Sequence, residues 1–594
     1  MVTGFISFVS KVLSLSWLTG PIFGKELRVS SRRRRNYVLR FCYLALLTVF
    51  LILLWINVVD YYGSALNRTV QMAEAGKMII TFIVWFQFCA TQLVAIIMLS
   101  TSISDEIYNR TLGLLMTTPI NSFQIVAGKL FSRLLQLILL LAISLPLLAV
   151  VRVFGGVPWD YLISSLCVTL TAVIFVGSVS LFFSIFSRRA YVVIILTILT
   201  LGTLFALLPL LMAMWMELYH ALSEKEFFWA FYHANPYLNL AIDTEMMLRP
   251  RRGGWMPTFQ WPLHCTIMLA GSAVIFLLSV VRVRKVALRQ ATGQLETFKR
   301  RRNRIKNPFE NAVSEESAGR IRSVNGSPTV WKELRAPLLR GHRIAAFIVI
   351  SISLLVLFAT YAFFAHEHAL DEEGPHMLYV TVFMGLGMLF TIILPATCIT
   401  SEKESRSWPL LLATTLSDEQ ILFGKFIGVL RRCLPVWLFL FGHVILFLIV
   451  GYIHPIAIFQ LAVVVTWVIV FLSCTGLYFS SRFRRSTTAV IMNFAFAAAV
   501  WALIPLLLVL MFEAMGGSDD LVECYMDTNP FVHAIVVMDG TVRRGDLHDY
   551  NWVGFHSLNV FESTCWMFFC MLSYVCIGFL FAWRAKCRIR RNVF

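Results

Sequence analysis

Charged residues are scarce in this sequence of 594 residues. Asp, Glu, Lys and Arg together make up 14% of it, whereas a soluble chain carries about 25%. Hydrophobic residues make up 58%, and the mean hydropathy is +0.75. The shortage of charge excludes a set of soluble domains, and the high apolar content excludes a disordered, collagen-like or coiled-coil chain. The sequence therefore predicts an integral membrane protein.

Signatures of catalysis and of cofactor binding are also missing. The twelve cysteines form no Cys-x-x-Cys pair and mostly lie in apolar runs, so neither a disulfide framework nor a cysteine metal site is predicted. The Gly-Lys pairs lack the upstream glycine and the following Ser or Thr of a phosphate-binding loop. No HExxH or GxSxG sequence is present. We therefore expect no enzyme activity and no cofactor in this chain itself.

Ionisable side chains are almost absent from the apolar runs. His443 lies inside one of them and is interpreted as a hydrogen-bonded structural residue. A carrier coupled to ions or protons usually needs carboxylates or histidines at membrane depth. A secondary carrier is therefore disfavoured.

What the sequence does contain is a series of apolar runs of about 20 residues or more, the length of a membrane-crossing helix. The run at 433–481 has no charged residue and is too long for one span, so it is predicted to break near 451–455. In total twelve spans are predicted. With the N-terminus inside, 42 of the 51 Lys and Arg residues lie on the cytoplasmic side. We expect an all-α polytopic protein of the plasma or inner membrane, with both termini cytoplasmic.

The chain also repeats one design twice, at an offset close to 296 residues, which predicts two six-helix halves in the same orientation. The recurring pieces are a Lys-Glu-Leu-Arg elbow before the first span, a Glu-x-x-x-Arg segment after the second, a Gly-Lys pair before the third and an Asn-Pro pair before the last. In the first half these are Lys25, Glu26 and Arg28; Glu106 and Arg110; Gly128 and Lys129; Asn235 and Pro236. In the second half they are Lys332, Glu333 and Arg335; Glu402 and Arg406; Gly424 and Lys425; Asn529 and Pro530.

The repeat divides the chain into five predicted parts. They are an interfacial elbow segment at 1–36, a first permease-like half at 37–282, a basic linker with the second elbow at 283–343, a second half at 344–583 and a basic tail at 584–594. The linker's basic run, 299–302, is interpreted as a contact with anionic membrane lipid. No folded or aromatic element accompanies it, so no nucleic-acid partner is expected.

The segment after the second span of each half predicts a short amphipathic helix that docks on a soluble partner. Glutamate and arginine four positions apart can pair on such a helix, as Glu106 with Arg110 and Glu402 with Arg406. Two leucines and a Thr-rich turn follow in both halves.

One loop on the outer side contains His366, His368 and His376 among acidic residues. Imidazole and carboxylate groups at this density can bind zinc or copper. The first half has no counterpart, and a solvated polar loop explains the cluster equally simply. No metal site is predicted.

These motifs, in this order, resemble the permeases of ABC exporters of the class often called type 2. The first half matches the segment and the Gly-Lys pair of such permeases at Glu106, Arg110, Gly113, Thr118, Pro119, Gly128 and Lys129. The second half matches at Glu402, Arg406, Thr414, Gly424 and Lys425, with Pro409 in place of the glycine and Thr415 in place of the proline. The resemblance covers essentially the whole chain, twice.

We call the Glu-x-x-x-Arg segment after the second span of each half a coupling segment. The resemblance implies that two separate ATP-binding cassette subunits, using ATP and Mg, sit under the two coupling segments of one copy of this chain. Their closure would rock the halves and open a pathway between them to the outside. A helical hairpin before the sixth span would cap the outer side, where the Asn-Pro pairs lie. The apolar and aromatic surfaces suit amphipathic or lipid-like cargo. The alternative is a membrane scaffold or assembly factor that uses the same fold without transport.

Overall fold

The computed structural model describes residues 16–32, 34–58, 65–108, 111–152, 156–187, 189–219, 224–249, 260–291, 326–335, 343–515, 520–542 and 547–590. Within them the chain is almost entirely helical, and its strands are one short antiparallel hairpin. The chain divides into two compact units, Met1–Ile321 and Arg322–Phe594. Their boundary lies within the linker predicted at 283–343.

Unit 1 consists of helices in the parts that the structure describes. They are α1 (Ser16–Ser31), α2 (Arg34–Val58), α3 (Ala65–Ser100), α4 (Ser104–Tyr108), α5 (Leu112–Met116), α6 (Ser122–Arg152), α7 (Trp159–Phe186), α8 (Ala190–Gly202), a π-helical turn π1 (Thr203–Leu207), α9 (Leu208–Tyr219), α10 (Glu224–Ala234), α11 (Pro236–Leu248) and α12 (Trp261–Ala291).

Among the described residues, unit 2 has helices of the same kinds in the same order, and a β-hairpin precedes its last helix. They are α13 (Pro328–Arg335), α14 (Arg343–His366), α15 (Glu373–Cys398), α16 (Thr400–Glu404), α17 (Trp408–Leu412), α18 (Asp418–Val450), α19 (Ile456–Arg482), α20 (Ser486–Ala498), π2 (Ala499–Leu503), α21 (Ile504–Met515), α22 (Asp520–Met526), α23 (Pro530–Thr541), β1 (Tyr550–Trp552), β2 (His556–Leu558) and α24 (Val560–Arg588).

Ten helices among the described residues are long and apolar enough to cross a membrane. Two shorter apolar helices, Arg40–Ile56 within α2 and Ile350–His366 within α14, accompany them. The prediction of an all-α polytopic membrane protein is confirmed at this level. The predicted break in the long apolar run is also confirmed, because α18 ends at Gly451, whose φ of 91° is the left-handed conformation that favours glycine at a helix end.

One helix lies at the centre of each unit. In unit 1, α7 packs against α3, α11 and α12, and in unit 2, α19 packs against α15, α18 and α24. Two-thirds of the apolar stretch of each central helix is buried (67%), compared with 22% for α12 and α24. A helix that is apolar on all sides is typical of such a core position.

Two predicted boundaries differ from the structure or fall outside it. The last helix of unit 1, α12, continues to Ala291 and so extends into the segment predicted as linker. The interfacial elbow segment predicted at 1–36 lies partly outside the described residues, and the basic run at 299–302 lies wholly outside them. The elbow motif Lys25–Arg28 lies within α1.

Candidate functional site

The second elbow, the coupling segment and the Gly-Lys pair of unit 2 meet at one buried lysine. The Nζ atom of Lys425 lies 2.8 Å from Oε1 of Glu333 and 2.5 Å from Oε1 of Glu402. A guanidinium nitrogen of Arg432 lies 2.8 Å from Oε2 of Glu333. The exposed fraction of the side chain is 6% for Lys425 and 8% for Glu333. We call Glu333, Glu402, Lys425 and Arg432 the Lys425 cluster.

Unit 1 brings the corresponding three motifs together around Lys129. Its Nζ atom lies 3.1 Å from Oε1 of Glu106 and 4.0 Å from Oε1 of Glu26. Arg133 lies 3.7 Å from the other oxygen of Glu26. Lys129 is buried, whereas about a quarter of the Glu26 and Glu106 side chains is exposed (23% and 24%). We call Glu26, Glu106, Lys129 and Arg133 the Lys129 cluster.

Each cluster contains two carboxylates and two basic groups, so its formal charges balance. This balance matters because a buried charge is tolerated only when it is paired and hydrogen-bonded. Burial alone would raise the pKa of Glu333, but Lys425, with its charge and its hydrogen bond, and Arg432 outweigh burial and lower that pKa. Glu333 is therefore ionised at neutral pH and holds the elbow helix to α18.

The glycine of the Gly-Lys pair in unit 2 has a packing role. A Cβ atom at Gly424 would lie 2.5 Å from Oγ1 of Thr329, and one at Gly428 would lie 2.8 Å from a carboxylate oxygen of Glu333. The elbow helix α13 therefore lies directly on a glycine face of α18. The Oγ1 atom of Thr329 also donates a hydrogen bond to the carbonyl of Gln420 (2.8 Å). The absence of a side chain at Gly424 allows the elbow helix to come this close. Lys425, the next residue, then contacts the carboxylate of Glu333.

The coupling segments differ from the single helix that the sequence predicts. Each contains two short helices, α4 and α5 in unit 1 and α16 and α17 in unit 2. Arg406 lies in a turn with a φ of 56°, outside α16, and it is exposed. The predicted pair of Glu402 with Arg406 is therefore wrong, because Glu402 bonds Lys425 and lies 3.9 Å from Lys332 instead. Arg110 lies outside the described residues.

A leucine at the same position of each coupling segment projects from the surface. Leu114 on α5 is 67% exposed and Leu410 on α17 is 73% exposed. Thr118, Pro119 and Thr414, in the turns that follow, are exposed, and Gly113 is half-buried.

The coupling segment of unit 2 is also anchored on its other side. The Nζ atom of Lys403 donates to the carbonyls of Ser480 and Phe483, both at 3.2 Å. The carboxylate of Glu404 accepts hydrogen bonds from the backbone and the hydroxyl of Ser486, at 2.7 and 2.9 Å. These contacts fix α16 to the junction of α19 and α20. A displacement of the segment would therefore be transmitted to α13, α18, α19 and α20.

The remaining elbow residues lie at the surface in the described part of the chain. Lys25, Arg28, Lys332 and Arg335 are exposed. The guanidinium of Arg335 lies 4.5 Å from the ring centroid of Trp331, within the range of a cation–π contact. These four residues do not enter the clusters at hydrogen-bond distance.

The Asn-Pro pairs cap a helix at the opposite end of each unit. Asn235 caps α11 and Asn529 caps α23, with Pro236 and Pro530 as the first helical residues. The side-chain amide of Asn235 donates to the carbonyl of Phe205 (2.8 Å), and that of Asn529 donates to the carbonyl of Trp501 (2.9 Å). Phe205 and Trp501 lie in π1 and π2, where the wider turn frees a backbone carbonyl. The sequence motif gave no indication of these π-helical turns.

The outer-loop histidines do not form a common cluster. His366 is exposed and contacts Glu367, whereas His376 is buried in the first turn of α15 and contacts His443. Among the residues that the structure describes, no group of three or more His, Cys, Asp or Glu side chains is placed to hold a metal ion.

Comparisons with known proteins identify no relative. No family model matches the chain, and no curated protein matches it.

Proposed function

We propose that this chain is the permease component of an ATP-driven exporter of the ABC type, with ATP hydrolysed by separate subunits. The observation that carries the proposal is that each coupling segment is joined through its glutamate to a buried lysine, which also binds the elbow glutamate. Such a connection is expected in a protein whose membrane-spanning helices are moved by a subunit that binds outside the membrane. A force on the segment would act on the elbow and on the third span together.

The exposed leucines supply the contact through which that force would arrive. Leu114 and Leu410 project from helices of five residues each, which are too short to be stable without support from neighbours. The anchored glutamates provide that support on one side and leave the leucines available on the other. This arrangement suits insertion of each segment into a groove on an ATP-binding subunit, which would hold the ATP and Mg.

We include the number and the orientation of the membrane spans in the same proposal. Twelve spans in two parallel six-helix halves, with both termini in the cytoplasm of a plasma or inner membrane, would place both coupling segments on the side where ATP is available. Two segments on one chain would seat two ATP-binding subunits. The expected complex has one copy of this chain and two ATPases, and the expected cargo is amphipathic or lipid-like.

The proposal is tested by changing the exposed leucines. We expect Leu114→Asp and Leu410→Asp together to abolish co-purification of the ATP-binding subunit that accompanies the wild-type chain, because a carboxylate cannot enter an apolar groove without a large desolvation cost. Leu521→Asp is the matched control, since Leu521 is 69% exposed on the short helix α22 at the opposite end of unit 2. Native mass spectrometry gives the stoichiometry, and the ATPase rate of the complex gives the coupling.

Three results would contradict the proposal. The first is an ATPase that remains bound and equally active in the double variant. The second is a loss of binding that Leu521→Asp produces to the same extent. The third is a wild-type chain that purifies with no ATPase at all, which would favour the scaffold or assembly factor.

A further inference from the structure

A chain of hydrogen bonds in unit 2 connects three helices with a neighbouring loop. The hydroxyl of Tyr361 on α14 lies 2.6 Å from Nδ1 of His443 on α18. Nε2 of His443 lies 3.3 Å from Nδ1 of His376 on α15. Nε2 of His376 lies 2.9 Å from the carbonyl oxygen of Leu370. All three side chains are at least nine-tenths buried.

The direction of every bond in this chain follows from its last member. A carbonyl oxygen only accepts, so Nε2 of His376 carries a hydrogen, and its Nδ1 accepts when the ring is neutral. His443 then donates from Nε2 and accepts at Nδ1. Tyr361 must therefore donate its single hydrogen to His443. The phenol oxygen of Tyr361 keeps acceptor capacity and has no further hydrogen to give.

Tyr361 and His443 line a groove of about 340 Å³ between α14 and α18. The other lining residues are apolar or glycine: Leu354, Leu357, Phe358, Pro435, Leu438, Phe439, Gly442 and Leu446. This volume is at the small end of the range for ligand sites, which is about 300–1,000 Å³. It suits one hydrocarbon chain and is too small for a folded partner. No charged residue lines the groove.

The first unit joins the corresponding helices with different polar residues. At the offset of 296 residues, Leu147 corresponds to His443 and Ile80 corresponds to His376. The helices that carry them, α6 and α3, are otherwise the counterparts of α18 and α15 in the order of elements. There the buried hydroxyl of Ser144 donates a hydrogen bond to the side-chain carbonyl of Gln87. A polar contact between these helices is therefore common to both units, and the two histidines at these positions are what distinguishes unit 2.

We propose that the groove is a binding site for a single-chain amphiphile whose polar end donates a hydrogen bond to the phenol oxygen of Tyr361. The hydrocarbon chain lies against the leucines and phenylalanines of the walls. The two histidines fix the direction of the Tyr361 hydroxyl, so that an acceptor faces the ligand. An apolar site built around one acceptor rejects analogues that lack the matching donor. Binding at this site does not require an ATP-binding subunit.

The test uses hexadecanol with a diazirine on its chain and the corresponding methyl ether, which lacks the donor. The purified full-length chain in phosphatidylcholine nanodiscs is irradiated with each probe, and labelled peptides are identified by mass spectrometry. We expect labelling at 354–361 and 435–446, with the alcohol about fivefold more efficient than the ether, the ratio expected for one net hydrogen bond.

Three variants separate the polar contact from the groove itself. Tyr361→Phe should reduce the alcohol-to-ether ratio to about one and keep the position of labelling. Leu438→Trp should fill the groove and abolish labelling by both probes, at a position that is 56% exposed and so tolerates a larger side chain. Tyr379→Phe is the control, since Tyr379 stacks near His443 without lining the groove. Thermal unfolding of each variant verifies that it is folded.

Equal labelling by alcohol and ether in the wild-type chain would overturn the proposal. So would labelling confined to other peptides, or a ratio that Tyr361→Phe leaves unchanged. If Tyr361→Phe does not fold, labelling that persists in Leu438→Trp overturns it independently. Since the assay contains no ATPase, its failure leaves the proposed coupling function to be judged by the leucine variants.

Discussion

The Lys425 cluster and the Lys129 cluster contain the same kinds of side chain but differ in closeness and burial. Lys425 contacts both of its glutamates at 2.5–2.8 Å, whereas Lys129 lies 3.1 and 4.0 Å from its two. The elbow glutamate is 8% exposed in unit 2 and 23% exposed in unit 1. In unit 2 the elbow rests on the glycine face formed by Gly424 and Gly428. The motif therefore determines which groups meet, while helix packing determines how strongly they interact.

The largest expected effect comes from replacing the central lysine of each cluster. Lys425→Met removes the cation between the buried carboxylate of Glu333 and the partly buried carboxylate of Glu402, and loss of one partner of a buried ion pair costs about 3–5 kcal/mol. Lys129→Met should cost about 1 kcal/mol, since its glutamates are partly solvated and closer to the behaviour of surface pairs. Thermal unfolding of the purified variants, followed by tryptophan fluorescence, should rank wild type above Lys129→Met and Lys129→Met above Lys425→Met.

The control for this ranking is Lys332→Met. Lys332 lies 3.9 Å from Glu402 but is 66% exposed, so its loss should change stability by less than about 1 kcal/mol. Equal destabilisation by Lys129→Met and Lys425→Met would mean that burial does not distinguish the clusters.

The next effect concerns the glycine face. Gly424→Ala places a Cβ atom against Thr329, and overpacking of this kind costs about 1–3 kcal/mol. Gly442→Ala on the same helix has no heavy atom within 4 Å, so the better helix propensity of alanine should stabilise it by up to about 1 kcal/mol. The unfolding temperatures of the two variants should therefore shift in opposite directions. A gain in stability for Gly424→Ala would contradict the close elbow contact.

At the other end of the units we expect no difference between them, because the asparagine contacts are alike. Asn235→Ala and Asn529→Ala each remove a helix cap and a donor to a π-turn carbonyl, so each should cost about 1–2 kcal/mol. Asn→Asp at either position keeps the cap oxygen but replaces the donor by a carboxylate oxygen, so its cost combines the lost bond, repulsion from the π-turn carbonyl and attraction of the new charge to the helix N-terminus. A difference between units larger than about 1 kcal/mol would show that the two contacts are not equivalent.

The sequence predicted the coarse fold well because membrane helices are determined by long apolar runs, which are a local property. It also identified the elbow, segment and Gly-Lys residues that form the clusters. It assigned Glu402 to the wrong partner, since an i, i+4 rule assumes a helix that ends, in the structure, at Glu404. The cations that contact Glu402 in the structure are Lys425, 23 residues after it, and Lys332, 70 residues before it, and such contacts depend on tertiary packing.

Three features of the site had no usable sequence signal. The π turns arise inside apolar runs that have the composition of ordinary spans. The role of Arg133 and Arg432 depends on which helix lies opposite. His443 was expected to be a hydrogen-bonded residue, but its partners Tyr361 and His376 are 82 and 67 positions away.

The smallest expected effect concerns one aspartate in each unit, Asp243 in unit 1 and Asp527 in unit 2. Burial raises the pKa of Asp243 on α11 to about 6, although Tyr232 donates a hydrogen bond of 2.8 Å to one carboxylate oxygen. Because this pKa exceeds the unfolded value of about 3.9, the folded state takes up a proton as the pH falls from 7 to 5. This carboxyl group alone should therefore add about 1 kcal/mol of stability over that interval. Burial lowers the pKa of His233 on the preceding helix α10, which acts in the opposite direction, so the contribution of Asp243 is the difference between the wild-type chain and Asp243→Asn.

Asp527 of unit 2 provides the comparison for this effect. Burial raises its pKa as well, but its two oxygens accept the backbone N–H groups of Val553 and Gly554, both at 2.9 Å, and these bonds favour the ionised form. Hydrogen exchange, corrected for the intrinsic dependence on pH, should show that lowering the pH from 7 to 5 changes the protection of 229–249 more favourably in the wild-type chain than in Asp243→Asn. Asp527→Asn should weaken protection of 547–558 at both pH values because the amide offers one acceptor in place of two. The same pH dependence of 229–249 in the wild-type chain and in Asp243→Asn would show that Asp243 is ionised in the folded state throughout this range.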